Sequence, residues 1–346
     1  MRKRHLLLQS ICLLVGSSFL YSQAPQDPSP PSPEEIEREL QEAEEEFEEA
    51  KEMFNPWYTG PIVTGSAHIL PPGRVNLQPY LFVTDNHGKY DEHGHSHSIP
   101  DLIQINPVLN LQFGIIKWMS ASVNLQGLYN KQSGRQSGNI GDTSAGLNFG
   151  LLAEGPYNPA VRISVNETFP TGKYQRLNPN KSAIEATGAG SYQTTFSFNI
   201  SKVVWWISTH PMDIRLSLNY TIPSNVHVKS FNSYGGGFGT NGTVHPGQSF
   251  TGDLGYEYSF TQRWVAALDV VYFYSLKTTF SGNSGVTAAG TKASVGGPFS
   301  DQLSLAPAIE YNPNENLGFI AGVWFTVWGR NSTNFISGVF SFSYGF

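Results

Sequence analysis

The sequence predicts an all-β protein: a transmembrane antiparallel up-and-down β-barrel of about twelve strands, preceded by a short acidic amphipathic helix. Three observations predict this fold. Apolar and polar residues alternate from about residue 60 to the end, the alternating segments are roughly ten residues long, and short and long connections follow each other in turn. A tilted strand of this length crosses the hydrocarbon layer, and the alternation gives it one lipid face and one interior face.

Residues 1–22 have the layout of a secretory signal peptide. A basic start is followed by a short apolar run from Leu6 to Leu20 and then by small and polar residues. An uncleaved membrane helix needs about 20 apolar residues, and Gln9 and Ser10 interrupt this run. We therefore expect export, cleavage after Ser22, and a final location in the outer membrane of a Gram-negative-type bacterium.

Charge is distributed unevenly along the chain. The formal net charge is −6, yet residues 34–54 alone hold eleven Glu against Arg38 and Lys51. The rest of the processed chain is close to neutral and has no basic patch, which argues against nucleic acid as a partner. The single cysteine, Cys12, lies in the signal peptide, so the processed chain has no thiol.

Residues 23–33 are rich in proline and predict an extended linker. Residues 34–54 predict an amphipathic helix, because apolar residues recur there at alternating steps of four and three. These seam residues are Ile36, Leu40, Ala43, Phe47, Ala50 and Phe54. Three alternatives stay open: a coiled coil with a periplasmic partner, a plug that enters the barrel, or a solvated tether. About three heptads are marginal for an isolated helix.

The last strand shows the alternation most clearly. One face carries Ile336, Gly338, Phe340, Phe342, Tyr344 and Phe346, and the other carries mainly small or polar residues. Eleven upstream segments repeat the pattern, and an even total returns the C-terminus to the side at which the chain enters. We expect Tyr344 and Phe346 to form the signal by which the barrel-assembly machinery recognises the strand.

Connection lengths give an independent indication of the topology. Short links are predicted near Lys117 and at 155–159, 204–212, 261–262 and 312–316, and long ones at 86–100, 132–140, 170–190, 228–248 and 279–300. Bacterial barrels have short periplasmic turns and longer outer loops. A soluble β-sandwich could contain similar strands, but it would bury its aromatic face against a second sheet.

The positions opposite the lipid face are polar and carry charges of both signs. Besides many Asn and Gln, they include Arg162, Arg215, Asp253, Glu257, Asp269 and Glu310. One interpretation is a hydrated pathway in which the arginines face the acids across a constriction, which creates a transverse field. The other is that the charges pair and fill a narrow barrel, since an isolated buried charge is costly.

The first long loop is rich in histidine, with His87, His93, His95 and His97. Imidazole nitrogens bind Zn, Ni or Cu, and carboxylates flank these residues, so a metal site is one hypothesis. A solvated His/Gly-rich loop is the alternative. No nucleophile elbow, zinc-protease helix or phosphate-binding loop occurs in the sequence, so we expect neither an enzyme nor a bound cofactor.

Two stretches resemble a known family. The first is GDTSAGLNF, from Gly141 to Phe149, and the second is ETFPTGKY, from Glu167 to Tyr174. They resemble the outer-membrane transporter family named for the MetA pathway of phenol degradation, over about Gly65 to Phe346. The resemblance implies a barrel that passes small organic, often aromatic, compounds. It implies nothing about the acidic helix or the histidine-rich loop.

The expected function is therefore passive passage of small, in part aromatic or hydrophobic, solutes through a polar-lined barrel embedded in outer-membrane lipids. The alternative is a structural or surface-binding barrel with a filled lumen, whose outer loops or acidic helix make the contacts.

Overall fold

The structure is a computed structural model that describes residues 32–53, 55–181, 184–207 and 210–346. The predicted signal peptide and nearly all of the proline-rich linker lie outside these residues. The chain divides into two units, with the division after Glu48.

The N-terminal unit contributes most of α1 (Pro33–Met53), the one α-helix of the described residues. Its start is a capping box: the Glu35 N–H donates to Ser32 Oγ (3.2 Å), and the Ser32 N–H donates to a Glu35 carboxylate oxygen (2.8 Å). Ile36 and Leu40, two residues of the predicted seam, are exposed to solvent. No helix in the described ranges has the length and apolar character needed to span a membrane.

The second unit is built from β-strands, sixteen of them in the described residues. They are β1 (Val75–Tyr90), β2 (Ser96–Ile116), β3 (Met119–Gln132), β4 (Arg135–Ile140), β5 (Thr143–Leu152), β6 (Ala160–Phe169), β7 (Gln193–Ile207), β8 (His210–Pro223), β9 (Val226–Lys229), β10 (Asn241–His245), β11 (Ser249–Ser259), β12 (Trp264–Ser275), β13 (Thr279–Asn283), β14 (Ser300–Asn314), β15 (Leu317–Arg330) and β16 (Thr333–Gly345). All except β4, β9, β10 and β13 form one antiparallel ring that closes where β1 pairs with β16. The predicted twelve-stranded barrel is thus confirmed.

The chain end completes the closure of the ring. The Phe346 N–H donates to the Val75 carbonyl (2.9 Å), and the Val75 N–H donates to the Phe346 carbonyl (2.8 Å). The rings of Tyr344 and Phe346 lie 5.7 Å apart, and both side chains are exposed on the outer surface. They are accessible to another protein there, and their role as an assembly signal stays a prediction.

The two faces of the barrel wall have opposite polarity. Side chains predicted to meet lipid are exposed on the outside, among them Leu147, Ile163, Val165, Phe196, Leu254, Ile309 and Phe340. Intervening positions such as Asn148, Asn199 and Ser341 are buried. A continuous apolar surface of this extent is unfavourable in water and is the surface that membrane lipids cover.

The two ends of the barrel have different connections. At the end where β1 begins and β16 ends, which we term the short-turn end, described connections are 117–118, 153–159, 260–263 and 315–316. At the opposite end, the long-loop end, they include 170–192 and 276–299. This asymmetry agrees with the sequence pattern.

Several segments predicted to be loops are strands, and those predictions were wrong. β1 and β2 continue as a hairpin through most of 86–100, and β4 pairs with β3 within 132–140. Beyond the barrel rim, β9, β10 and β13 form a separate three-stranded sheet. β4, β10 and β13 are short and rich in Gly, Asn and Ser, so they show no clear alternation. β9 does alternate, and its Val226 and Val228 are buried with Val244 in an apolar cluster of the separate sheet.

Candidate functional site in the barrel lumen

Residues 55–74 form no strand and cross the inside of the barrel; we name this segment the strap. The strap starts at the short-turn end, where the Asn55 carbonyl accepts a hydrogen bond from Gln262 Nε2 (3.1 Å). It returns to that end near Pro71, which lies against Gly114 at the end of β2. Most of these residues fall within the barrel predicted from the sequence, but their path across the lumen was not predicted.

Two interior carboxylates hold the first arm of the strap. Asp269 on β12 accepts hydrogen bonds from the Val63 N–H (3.1 Å), the Thr64 N–H (2.9 Å) and the Thr64 hydroxyl (2.6 Å). Glu310 on β14 accepts one from the Thr59 N–H (2.7 Å). These carboxylates satisfy backbone donors that have no partner in a sheet.

The second arm of the strap is fixed to the opposite wall. The Ala67 N–H donates to Ser201 Oγ on β7 (2.9 Å), and His68 Nε2 lies 2.9 Å from a carboxylate oxygen of Glu154 in the turn after β5. The strap therefore spans the lumen from β12 and β14 to β5 and β7.

Small wall residues make room for the strap. A Cβ at Gly255 on β11 would lie 2.8 Å from both Pro61 and Thr64, and one at Gly322 on β15 would lie 2.7 Å from Ile62. Ile62 fills an apolar cluster with Ala267, Ala306, Ala308, Ile320 and Val339. On this side of the lumen, the strap and the apolar cluster are thus in direct contact with the wall, as side chains are in a protein core.

Arg215 on β8 lies within the acidic group itself. Its Nε is 2.8 Å from a carboxylate oxygen of Asp213, and its Nη2 is 2.8 Å from one of Glu257 on β11. All three side chains are buried. Arg215 therefore contacts its acidic partners directly and does not face them across a gap.

Arg162 on β6 and Asp253 on β11 are different. Arg162 Nη2 is 3.4 Å from the Asn199 side-chain oxygen, and its buried Nε has no hydrogen-bond partner among the described residues. Asp253 accepts one hydrogen bond, from Asn219 Nδ2 (3.2 Å), while its buried Oδ1 has none there. All six charged residues singled out in the sequence lie inside the barrel.

A cavity of about 1020 Å³ lies between the strap and the wall formed by the remaining strands. Amide side chains dominate its lining: Asn76, Gln78, Asn110, Gln112, Asn124, Asn148, Asn166, Asn199 and Asn219. Arg162 and Asp253 line it as well, together with the aromatic residues Tyr58, Tyr80 and Phe82. Such a space admits water and a small organic molecule.

Asp142, in the first motif of the family resemblance, anchors the loop 170–192. One carboxylate oxygen accepts a hydrogen bond from the Gly172 N–H (2.9 Å), and the other accepts one from the Ala189 N–H (2.7 Å). A Cβ at Gly188 would collide with the same carboxylate. The two motifs therefore meet in space, and Asp142 ties the loop to the start of β5.

The same loop folds inward at the long-loop end. Asn130 Nδ2 on the inner face of β3 donates to the Ile184 carbonyl (2.9 Å). Lys173 Nζ lies 2.9 Å from Glu185, and this contact together with a hydrogen bond from the Asn178 N–H lowers the pKa of Glu185 to about 2. The loop covers part of the inner wall and narrows this end of the lumen.

We expect Asp142→Ala to free the loop 170–192. Two backbone N–H groups would lose a charged acceptor, and each such hydrogen bond contributes about 1.5–3 kcal/mol. Limited trypsin digestion of the folded barrel, read by mass spectrometry, should then show cleavage after Arg176 and Lys181 at least tenfold faster than in the wild type. Asp101→Ala, at an exposed position, is the control, and equal cleavage in the two variants would contradict this anchor.

The four histidines are distributed over the first hairpin. His97 Nε2 and His95 Nδ1 lie 3.0 and 3.4 Å from Asp91 Oδ2, and hydrogen bonds from His97 and from the His95 and His93 N–H groups lower the pKa of Asp91. His87 lies on β1. Within the described ranges, no group of three or more His, Cys, Asp or Glu is placed to hold a metal ion.

Solved structures with a similar fold are barrels of the outer membrane. An outer-membrane channel from Pseudomonas putida F1 shares 13% identity and a TM-score of 0.64, over 82% of this chain and 100% of that chain. The translocator domain of the autotransporter NalP from Neisseria meningitidis shares 10% identity over 90% and 97% of the two chains, with a TM-score of 0.43. The toluene transporter TodX from P. putida shares 12% identity over 84% and 98%, with a TM-score of 0.39.

The sequence itself identifies the family. No curated protein sequence matches the chain significantly. The model of the family described as "MetA-pathway of phenol degradation" matches residues 109–344, which is more than half of the chain. This range includes both motifs that carry the resemblance, and the chain therefore belongs to the family of the MetA pathway of phenol degradation.

Proposed function

We propose that the protein is a passive channel of the outer membrane, through which small solutes cross by way of the amide-lined cavity. The observation that carries this proposal is a closed barrel with an apolar exterior around a polar cavity of about 1020 Å³. Aromatic solutes are the class that family membership favours, and Tyr58, Tyr80 and Phe82 give the cavity an aromatic side.

In this proposal the short-turn end faces the periplasm and the long-loop end faces outward. The strap narrows the periplasmic exit, and the loop 170–192 narrows the outer mouth. The signal peptide directs export, and the C-terminal strand with Tyr344 and Phe346 is the signal for the assembly machinery. The acidic helix then lies in the periplasm, where its apolar seam offers a surface to a partner.

The proposal includes no catalysis. The charged residues of the lumen contact the strap, one another or the amides Asn199 and Asn219, and they are not arranged as a nucleophile with a base. The His residues of the first hairpin would bind a metal only after rearrangement.

A barrel with a structural or surface-binding role is the second candidate. The packed half of the lumen favours it, since the strap and the apolar cluster around Ile62 leave no passage on that side. This candidate predicts a folded barrel that does not conduct ions.

Planar bilayer recordings separate the two candidates. We expect the refolded mature chain, residues 23–346, to give stable conductance steps in KCl, and liposomes that contain it to swell in sugars, amino acids and aromatic acids. Correct folding is checked by the shift in gel mobility between unboiled and boiled samples. A barrel that shows this shift and remains electrically silent would establish the structural role.

A further inference from the structure

Arg162 is a half-buried cation, with a buried Nε, that has no described acidic partner. Among residues 55–181, 184–207 and 210–346, no carboxylate oxygen lies within the 4.0 Å of an ion pair, in contrast to Arg215 with its two acids. Its one described hydrogen bond, to the Asn199 oxygen, is long at 3.4 Å. A guanidinium in this setting has lost part of its hydration, and one long hydrogen bond replaces little of it.

Asp253, which has the opposite charge, is too distant along the wall to neutralise Arg162. Register pairs join Arg162 to Asn199, Asn199 to Ser217, and Ser217 to Asp253. Adjacent strands are about 4.8 Å apart, so three steps separate the two charges by roughly 14 Å along the wall. The row between them is neutral, with Asn199 Nδ2 donating to Ser217 Oγ (2.7 Å).

Unpartnered polar atoms surround Arg162. Its Nε and the hydroxyl of Ser164, two residues further on the same inner face of β6, are both buried and have no hydrogen-bond partner among the described residues. Both residues line the cavity. Buried polar groups are rarely left unsatisfied, so this part of β6 has hydrogen-bonding capacity that no described residue uses.

The strap passes close to the guanidinium at a residue without a side chain. A Cβ at Gly65 would lie 3.5 Å from both Arg162 Nη2 and Asn199 Nδ2, so any larger side chain there would extend over the cation. Across the cavity, Tyr80 and Phe82 on β1 are stacked with ring centroids 5.7 Å apart. The same cavity therefore offers aromatic rings, Tyr80 and Phe82, to a flat apolar solute and a cation, Arg162, to a negative group.

From this arrangement we infer that Arg162 is a binding site for the carboxylate of a small aromatic acid inside the channel. The inference rests on the proposed function and specifies its solute. A guanidinium binds a carboxylate through two parallel N–H···O bonds, which a neutral analogue of the same shape cannot form. Asp253, on the far side of the row, disfavours anions away from Arg162 and so confines the negative group to that wall.

Equilibrium binding to the refolded mature chain tests the site directly. We expect benzoate, titrated calorimetrically, to bind the wild type about tenfold or more tightly than it binds Arg162→Gln, and benzyl alcohol to show no such difference. Arg263→Gln removes an exposed arginine from a turn and should bind like the wild type. Equal benzoate affinity in the wild type and Arg162→Gln, or no binding to either, would overturn the inference.

Reversal potentials across a KCl gradient separate this inference from the channel proposal. Arg162→Gln should shift the selectivity of the channel toward cations, and Asp253→Asn should shift it toward anions. If Arg162→Gln conducts with unchanged selectivity and unchanged benzoate affinity, the binding site is refuted and the channel proposal stands. If the barrel does not conduct but its benzoate binding depends on Arg162, the channel proposal is refuted and the binding site stands.

A second variant covers the case in which Arg162→Gln does not fold. Arg162→Lys keeps the positive charge but loses the planar fork, so we expect its ion selectivity to stay close to that of the wild type while its benzoate affinity falls. If Arg162→Lys binds benzoate as tightly as the wild type does, the bidentate contact is contradicted. Gel mobility before and after boiling reports folding for every variant.

Discussion

Asp269→Ala is expected to release the strap and to raise the conductance of the barrel. The Asp269 carboxylate accepts three hydrogen bonds from Val63 and Thr64, whereas Glu310, the other carboxylate that holds this arm, accepts one from Thr59. Hydrogen bonds to a charged group contribute about 1.5–3 kcal/mol each, and their sum overstates the effect because they are not independent. A loss of about 3 kcal/mol changes the ratio of bound to released strap roughly a hundredfold.

An engineered disulfide makes this prediction reversible. A Cβ at Gly150 would lie 3.8 Å from the Ile69 Cβ, which is close to the mean separation of about 3.8 Å in disulfides. In bilayers, Asp269→Ala combined with Ile69→Cys and Gly150→Cys should conduct at the wild-type level when oxidised and at a higher level when reduced. The processed chain has no other cysteine to interfere, because Cys12 lies in the predicted signal peptide.

The control for this experiment is Asp301→Ala. Asp301 is buried like Asp269 but binds Arg330 at the long-loop end, away from the strap. Its loss should leave the step size unchanged. Equal conductance of the oxidised and reduced forms in the Asp269→Ala background would show that the strap does not limit the current.

The barrel was predictable because lipid acts on every strand in the same way. Each residue that meets hydrocarbon must be apolar, and the next residue along the strand faces the lumen. The two-residue alternation therefore predicts where the strands lie and which face of each meets lipid. Val165 and Phe340 are placed on the outside by that period alone, and the structure has both there. Outer segments such as β4 and β9 escape the rule, because they lie beyond the lipid; Val226 and Val228 of β9 are buried against Val244 of the neighbouring strand.

The strap was not predictable from any period. Its contacts join residues more than two hundred positions apart, such as Thr64 and Asp269 or Thr59 and Glu310. From the sequence, these acids were predicted either to line a pathway or to pair with arginine. Hydrogen bonds from the backbone N–H groups of a segment inside the barrel were not predicted. The sequence did contain one signal of the strap, because Gly255 and Gly322 lie on the inner face of strands. A glycine at such a position lets another segment of the chain approach the wall closely.

The family motif illustrates the same limit. GDTS and PTGK were recognised as sequence patterns, but a pattern does not say whether its residues contact a solute or the protein. Only the structure shows Asp142 accepting the Gly172 and Ala189 N–H groups, which makes the motif a loop anchor at the long-loop end.

Arg215→Met is expected to cause the largest loss of stability among the lumen variants. It would leave Asp213 and Glu257 buried beside each other without a cation, and breaking a buried ion pair in this way costs about 3–5 kcal/mol. Equilibrium unfolding in urea, with the barrel refolded into lipid vesicles, measures the change in the free energy of unfolding.

The pair between Arg330 and Asp301 provides the matched comparison, since Asp301 is buried but Arg330 is 39% exposed. Arg330→Met removes a side chain that separates Asp301 from solvent, so water and ions can replace part of the lost contact and the loss should be smaller. Neutralising the stranded acids, as in Arg215→Met with Asp213→Asn and Glu257→Gln, should recover most of the lost stability, because the cost comes from uncompensated charge. If Arg215→Met were no less stable than Arg330→Met, water would have to reach Glu257, and the acidic half of the lumen would be hydrated rather than packed.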